Sequence, residues 1–273
     1  MTFLSIVTVV YEDPEGLEDT IKSTKALLNQ IQFEVIVVDG SPTNVVRRRY
    51  EQLNSYTRDL IVKYIHESDS GIYDAMNKGV TQCYDSDYTI FMNAGDVFTP
   101  QSGEVLSEFF YKNNAPFNNG RFSKDIVVFP IKCLNENKEE VPFRVFENIE
   151  DIRFRPCVPH QSTLISTSLM KKNKYNLKYE ILADYDFFCR SFQNGSNFII
   201  VNDKPAIAAF SLGGVSSNAQ KQIIFIKELM KIQKNVFDKV SYRYALVPLL
   251  KWIVFRFEFF RRAEKLIRKI IFR

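Results

Sequence analysis

The stretch FLSIVTVVYEDPEG (residues 3–16), followed by EVIVVDGS (residues 34–41), decides the fold of this 273-residue chain. Phe3 to Tyr11 is an unbroken β-branched and apolar run, short enough for a strand buried on both faces, and Glu34 to Val38 is a second. Between them Leu17, Ile21, Thr24 and Leu28 recur at helical spacing over residues 14–29, with Asp13 as cap and Pro14 at the first helical position. Strand, helix, strand predicts a parallel crossover unit. The alternation continues with a strand at 60–65, a helix at 72–81 and a strand at 88–92 that ends in Asn93-Ala94-Gly95-Asp96. An α/β chain follows, with a mostly parallel sheet between two layers of helices. In such sheets ligands bind beyond the carboxyl ends of the strands. Glu12, Asp39 and Asp96 each fall just past a predicted strand. One aspartate there is ordinarily a turn former, but three acids at one edge point to a site.

Beyond Asp96 the pattern loosens into a loop at 113–121, a strand at 125–133, a polar connection at 141–157 and a strand-like segment at 160–165. A helix at 181–194 buries Tyr185, Phe188 and Phe192, and strands at 198–201 and 206–210 precede a flexible Gly213-Gly214 stretch. One domain over 1–217 and a C-terminal helical extension over 218–273 are expected. A hydrophobic content of 45% with 14% aromatics excludes a disordered chain. The N-terminus lacks a basic region and reads as a strand, not a signal peptide. Four scattered cysteines without a CxxC pair fit reduced thiols in a cytosolic protein.

The motifs TVVYED, EVIVVDGS, DSGIYDAMNKG, FMNAGD, HQSTLI and LADYDFFCR, in this order from about residue 4 to residue 217, resemble the family 2 glycosyltransferases. The block Gly71-Ile72-Tyr73-Asp74-Ala75-Met76-Asn77-Lys78-Gly79 resembles a bacterial surface-polysaccharide branch of them. The resemblance implies a GT-A fold, which is Rossmann-like, a nucleotide-sugar donor, a divalent metal and inversion at the anomeric carbon. A departing nucleoside diphosphate needs a cation, and Mg²⁺ or Mn²⁺ takes few carboxylates plus phosphate oxygens. By the resemblance Asp96 is the metal-binding carboxylate, although Asn93 and Gly95 stand where the family usually has acids, so a weakly bound or optional metal is expected.

The same resemblance places Tyr11, Glu12 and Asp39 around the base and ribose, and Asp69, Asp74, Asn77 and Lys78 under the ribose and diphosphate, with Asn93 beside them. Tyr11 either stacks on a base or caps the sheet edge. Lys78 is either a phosphate partner or a solvated helix lysine. His160 stands near the phosphates or metal, or is a satisfied strand-start histidine; His66 is given no role. Direct displacement needs one general base, which the resemblance puts at Asp184. Asp186, two residues along a helix, is expected to face elsewhere, and Glu180 is a third candidate.

Charge is unevenly distributed. The total is +4, yet residues 242–273 hold nine basic and two acidic side chains, leaving 27 basic and 30 acidic groups for the rest. On a helix Phe259, Phe260, Ala263, Leu266, Ile267, Ile270 and Ile271 share one side and Arg261, Arg262, Lys265, Arg268, Lys269 and Arg273 the other. Such a helix suits an anionic membrane surface, or else packs its apolar stripe on the body. No window reaches the roughly 18 apolar residues of a membrane span. The expected partners are a nucleotide sugar, a lipid-linked saccharide acceptor and the inner face of the cell membrane. A nucleotidyltransferase would want a basic phosphate loop where Glu12-Asp13 stands, and nucleic-acid binding would want a basic groove on a body that is net negative.

Overall fold

A computed structural model describes residues 3–112, 125–135, 139–141, 148–211 and 219–244. The chain opens with β1 (Phe3–Val10) and α1 (Pro14–Ser23), the latter capped by the Asp13 carboxylate, which accepts from the Gly16 N–H at 2.9 Å. β2 (Gln32–Asp39), α2 (Val45–Gln52), α3 (Ser55–Arg58), β3 (Ile61–His66), α4 (Ile72–Gln82) and β4 (Tyr88–Phe91) follow. Then come β5 (Val97–Phe98), α5 (Ser102–Lys112), β6 (Asp125–Val128), β7 (Ile131–Leu134), β8 (Glu140–Val141), β9 (Thr163–Ser166) and α6 (Thr167–Asn173). The described chain closes with α7 (Ala183–Gln193), β10 (Asn197–Ile200), β11 (Ala208–Ser211) and α8 (Ala219–Phe237).

Seven strands form the main sheet in the order β10-β6-β9-β4-β1-β2-β3. Every neighbouring pair is parallel except those made by β9, which runs antiparallel to both β4 and β6. The expected mostly parallel α/β sheet is therefore present. Because side chains alternate along a strand, β1 and β2 feed two cores at once. Val7, Val9, Ile36 and Val38 pack with Met76 and Val80 of α4 and Phe187 of α7, whereas Leu4, Ile6, Val35 and Val37 pack with Leu17 and Ile21 of α1 and Leu106 of α5. α4 lies close to the sheet at Gly79, where an added Cβ would stand 2.4 Å from Val7 Cγ1 and 3.3 Å from Val38 Cγ2.

Several local readings are corrected. The strand expected over 125–133 is two strands in two sheets, since Pro130 has no N–H for a ladder and the chain changes sheet there. β7 continues in a four-stranded sheet ordered β5-β11-β7-β8. The segment 160–165 begins as a 3-10 turn, His160–Ser162, before β9. The helix expected to Asn29 ends at Ser23 and passes into a 3-10 turn. α2, α5 and α6 have no counterpart in the sequence reading; in α2 only Val46 is buried, so no apolar stripe marks it, whereas α5 buries Val105, Leu106 and Phe110 at helical spacing. The described start of the extension is α8, whose Leu229 and Ile232 lie in the same core as α4 and α7. The Gly213-Gly214 stretch and the amphipathic segment 259–271 lie outside the described residues.

The contact at Gly79 generates a prediction. Gly79→Ala forces a methyl against the buried, stiff Val7, an overpacking cost of about 1–3 kcal/mol, against a helix-propensity gain of about 1 kcal/mol. A lowered melting temperature by circular dichroism is expected; an unchanged or raised one would mean that α4 moves off the sheet freely.

Candidate active site

The carboxyl edge of β1, β2 and β4 carries the acids. Beyond β4 the backbone stays in register with β1, with Met92 N–H on Val7 O and Ala94 N–H on Val9 O, both at 3.0 Å, before turning at Gly95. Gly95 has φ +90°, where a side chain is strained, so a residue without a Cβ suits this turn. The buried Thr20 hydroxyl of α1 braces the turn: it accepts from the Gly95 N–H at 3.0 Å and lies 2.7 Å from Asp96 O. Asp96 is thereby held inward, its Oδ2 accepting from the Asn93 N–H at 3.2 Å. Burial pushes the Asp96 carboxyl up to about 6, only partly opposed by His160, the Asn93 N–H and a Gln161 hydrogen bond.

From Asn93 a relay of side chains crosses to α7. Asn93 Nδ2 lies 3.3 Å from His160 Nε2, and His160 Nδ1 lies 3.2 Å from Asp184 Oδ2. Asp184 Oδ1 accepts from the Tyr185 N–H at 2.8 Å and lies 3.0 Å from the Tyr73 hydroxyl, whose single proton is shared between this carboxylate and Ile181 O at 2.7 Å. Burial and the Asp184 charge keep the Tyr73 phenol protonated, so it remains a donor. A carboxylate at Nδ1 fixes the imidazole proton there and turns the Nε2 lone pair toward Asn93. Asn93 Oδ1 is then left buried with no hydrogen-bond partner.

Among the described residues no group of three His, Cys, Asp or Glu side chains forms a metal cluster. The buried Asp96 carboxylate and the unpartnered Asn93 Oδ1 nevertheless fit a hard divalent cation that brings further oxygen ligands with its substrate, and His160 Nε2 would join them by exchanging its contact with Asn93 Nδ2 for the ion. The two acids of α7 divide as their spacing requires. Asp184 faces this relay, whereas Asp186 is buried with its Oδ2 2.8 Å from Arg190 Nε. Glu180 is exposed, its carboxylate 3.9 Å from Lys221 Nζ.

The predicted donor-side residues are dispersed along the same edge. Asp39 has no exposed side-chain surface; it accepts from the Tyr64 hydroxyl at 2.6 Å and the Ser41 N–H at 2.9 Å, and lies 2.9 Å from His66 Nδ1. The β2–β3 register pairs Asp39 with His66, so the histidine given no role in the sequence reading is the neighbour of this acid. Asp69 lies against Gly40, where an added Cβ would fall 1.8 Å from Asp69 Oδ2. Asp74 accepts from the Ser70 N–H, which holds its carboxyl below the usual range. Lys78 donates to Ser68 O at 2.6 Å and pairs with Glu67 and Asp74. Asn77 departs from expectation: its amide exchanges two hydrogen bonds with the Tyr175 backbone, at 2.9 and 2.8 Å, and serves to hold that segment. Tyr11 is 65% exposed at the rim. Glu12, at φ +54°, accepts from Thr43 at 2.5 Å while its N–H donates to Ser41. Tyr64 and Tyr73 carried no separate signal, because each reads as a core aromatic.

Residues 5–179 match the family model for Glycosyl transferase family 2. The chain belongs to that family. This glycosyltransferase is 26% identical over 229 residues to an uncharacterized glycosyltransferase of Mycobacterium tuberculosis, covering 81% of this chain and 80% of the relative. It is 24% identical over 226 residues to a PGL/p-HBAD biosynthesis glycosyltransferase of Mycobacterium bovis, covering 81% and 79%. Its fold is similar to that of Staphylococcus aureus TarS 1–349 in complex with UDP-GlcNAc (TM-score 0.61, 16% identity, 96% of this chain and 74% of that one). It also resembles mannosyltransferase PcManGT from Pyrobaculum calidifontis in complex with GDP-Man and Mn²⁺ (TM-score 0.61, 12% identity, 86% and 64%). Of the longer TarS crystal structure it spans 45%. The GT-A architecture is thereby established.

The Asp96 environment has a pH consequence. Its folded value, about 6, lies above the ordinary 3.8, so the folded chain binds this proton more tightly than the unfolded one. The ionised carboxyl therefore costs stability, a cost absent below about pH 4 and fully present above about pH 6. Asp96→Asn is expected to raise the melting temperature at pH 7.5 in chelator and to leave it nearly unchanged at pH 4. Equal shifts at both pH values would dismiss the buried charge.

Proposed function

We propose that this glycosyltransferase moves a sugar from a nucleoside-diphosphate sugar, with UDP as the nucleotide, to a hydroxyl of a lipid-linked oligosaccharide, inverting the anomeric carbon, in bacterial surface-polysaccharide synthesis. The observation that carries the reading is the Asn93–His160–Asp184 relay, which sets a carboxylate across from the buried Asp96 with Tyr73 and His160 fixing its orientation. UDP-GlcNAc in the TarS complex and GDP-Man with Mn²⁺ in the PcManGT complex are the donors seen on similar folds. One relative is named for PGL/p-HBAD biosynthesis, and the lipid-linked acceptor is our own reading, drawn from the basic amphipathic sequence at the C-terminal end.

Asp184 Oδ2 takes the proton of the acceptor hydroxyl as its oxygen attacks the anomeric carbon from the side opposite the nucleotide. The C–O bond forms as the bond from sugar to diphosphate breaks, and the electron pair leaves with the phosphate. Asp96, with Asn93 and His160, would hold Mn²⁺ or Mg²⁺, which when bound stabilises charge on the leaving diphosphate. Asp39, with Tyr64 and His66 around it, and Glu12, Tyr11 and Asp69 form the nucleoside end; Lys78 and Asp74 lie between.

Isothermal titration with UDP and Mn²⁺ separates the roles. Asp96→Ala is expected to abolish binding. Asp184→Asn should keep nucleotide affinity and lose transfer by about 10²–10⁴-fold. A fully active Asp184→Asn moves the base elsewhere.

No helix among the described residues is long and apolar enough to cross a membrane. We place the protein at the inner face of the membrane through residues 242–273, nearly all of them outside the described structure. Full-length chain is expected to float with anionic liposomes and a chain ending at Tyr242 to stay in the soluble fraction; flotation of both would locate the attachment elsewhere.

A further inference from the structure

The backbone that delivers Asp184 is held from outside its own helix. Three successive amides, those of Glu180, Ile181 and Leu182, all donate to one carboxylate, Glu228 of α8. Oε1 accepts from Glu180 at 2.6 Å and Oε2 accepts from Ile181 at 3.0 Å and Leu182 at 2.9 Å. Glu228 is buried. α7 itself has no capping side chain, since Leu182 occupies the N-cap position with no side-chain hydrogen bond. Orphan amides at a helix start are ordinarily met by a local Ser, Thr, Asn or Asp. Here an acid from another helix meets the N-cap amide, that of Leu182, and the two amides before it, placed where the helix dipole favours negative charge.

The same segment is gripped from the opposite direction. The Tyr73 hydroxyl of α4 lies 2.7 Å from Ile181 O and 3.0 Å from Asp184 Oδ1. Three amides on Glu228 and one carbonyl on Tyr73 thus fix the peptide planes immediately before Asp184. α8 is seated for this task by Leu229 and Ile232 in the core, and by Gln233 Nε2 donating to Phe154 O at 2.8 Å.

We propose that Glu228 is a positioning residue for the reaction: by clamping the amides of 180–182 it holds the start of α7 so that the Asp184 carboxylate meets the acceptor hydroxyl. The proposal rests on the reading of Asp184 as the general base. Glutamine at 228 keeps the shape but offers one acceptor oxygen and turns an N–H₂ toward amides that also donate, so at least one of the three bonds is replaced by a donor–donor contact. A base displaced by an ångström loses rate without a change in nucleotide affinity.

The test measures release of nucleotide from the donor sugar by full-length enzyme, using whichever UDP- or GDP-sugar a hydrolysis screen selects. Rates are expressed per UDP-binding site counted by calorimetry, so unfolded molecules drop out. Glu228→Gln is expected to fall at least about tenfold in this per-site rate, with UDP affinity unchanged within about twofold. Ile232→Ala, which removes core packing from the same helix, should lower the melting temperature and keep the native per-site rate. Glu228→Asp, which retains the charge on a shorter arm, should lie between Glu228→Gln and native. A native per-site rate in Glu228→Gln overturns the proposal. If Glu228→Gln fails to fold, a native per-site rate in Glu228→Asp overturns it, and a reduced one with UDP affinity intact upholds it. Asp184→Asn assayed alongside separates the two claims. Its loss of rate with none in Glu228→Gln removes only the role of Glu228, whereas full activity in Asp184→Asn removes the base assignment and the positioning role with it.

Discussion

The parallel pairing of β1 with β2 on one side and β4 on the other is the constraint on which the site depends. Its register sets Val10 beside Asp39 and carries the β4 chain on to Ala94, so the ends of three strands finish at one level. Because β1 is buried on both faces, a slip of one residue would exchange its two side-chain sets between opposite cores. The same hydrophobic alternation that folds the sheet therefore fixes where the acids emerge. Gly79 lets α4 approach that sheet closely, and α4 brings Tyr73 toward Asp184.

At the center of the site the physical problem is a carboxylate kept out of water. Asp96 is buried, and its nearest help is one backbone N–H at 3.2 Å, Gln161 and an imidazole. Asn93 adds a buried oxygen with no donor. Such an arrangement is poor by itself and good around a cation, because the desolvation that penalises the bare carboxylate strengthens its attraction to a positive charge. Asp39 shows the contrary design: three donors surround it in advance, so it is rigid before anything arrives.

Much of this was legible in the sequence. Unbroken apolar runs marked β1, β2 and β4, and acids just past them marked the edge. Asp184 was distinguished from Asp186 by helical spacing, and the chain orients them apart. What was not legible depended on contacts distant in sequence. His66 reads as an ordinary strand residue until the β2–β3 register sets it beside Asp39. Asn77 sits within a motif that suggests a ligand contact, yet its amide is consumed by Tyr175. α5 buries Val105, Leu106 and Phe110 at helical spacing, a period the sequence reading passed over, and the break at Pro130 divides what looks like one strand. Gly95 looked like a lost ligand because composition records side chains, whereas the turn there is set by a backbone angle.

Residues matched to the family end at 179, before both Asp184 and Glu228. The matched part contains Asp39, Asp96 and His160, and the remainder contributes the proposed proton acceptor and the helix that braces it. The proposed donor side and the proposed base thus come from different stretches of the chain, and likeness to the mycobacterial relatives spans 81% of it. Because the amides of 180–182 answer to one carboxylate nearly fifty residues away, a shift of α8 along its own axis would be felt at the start of α7.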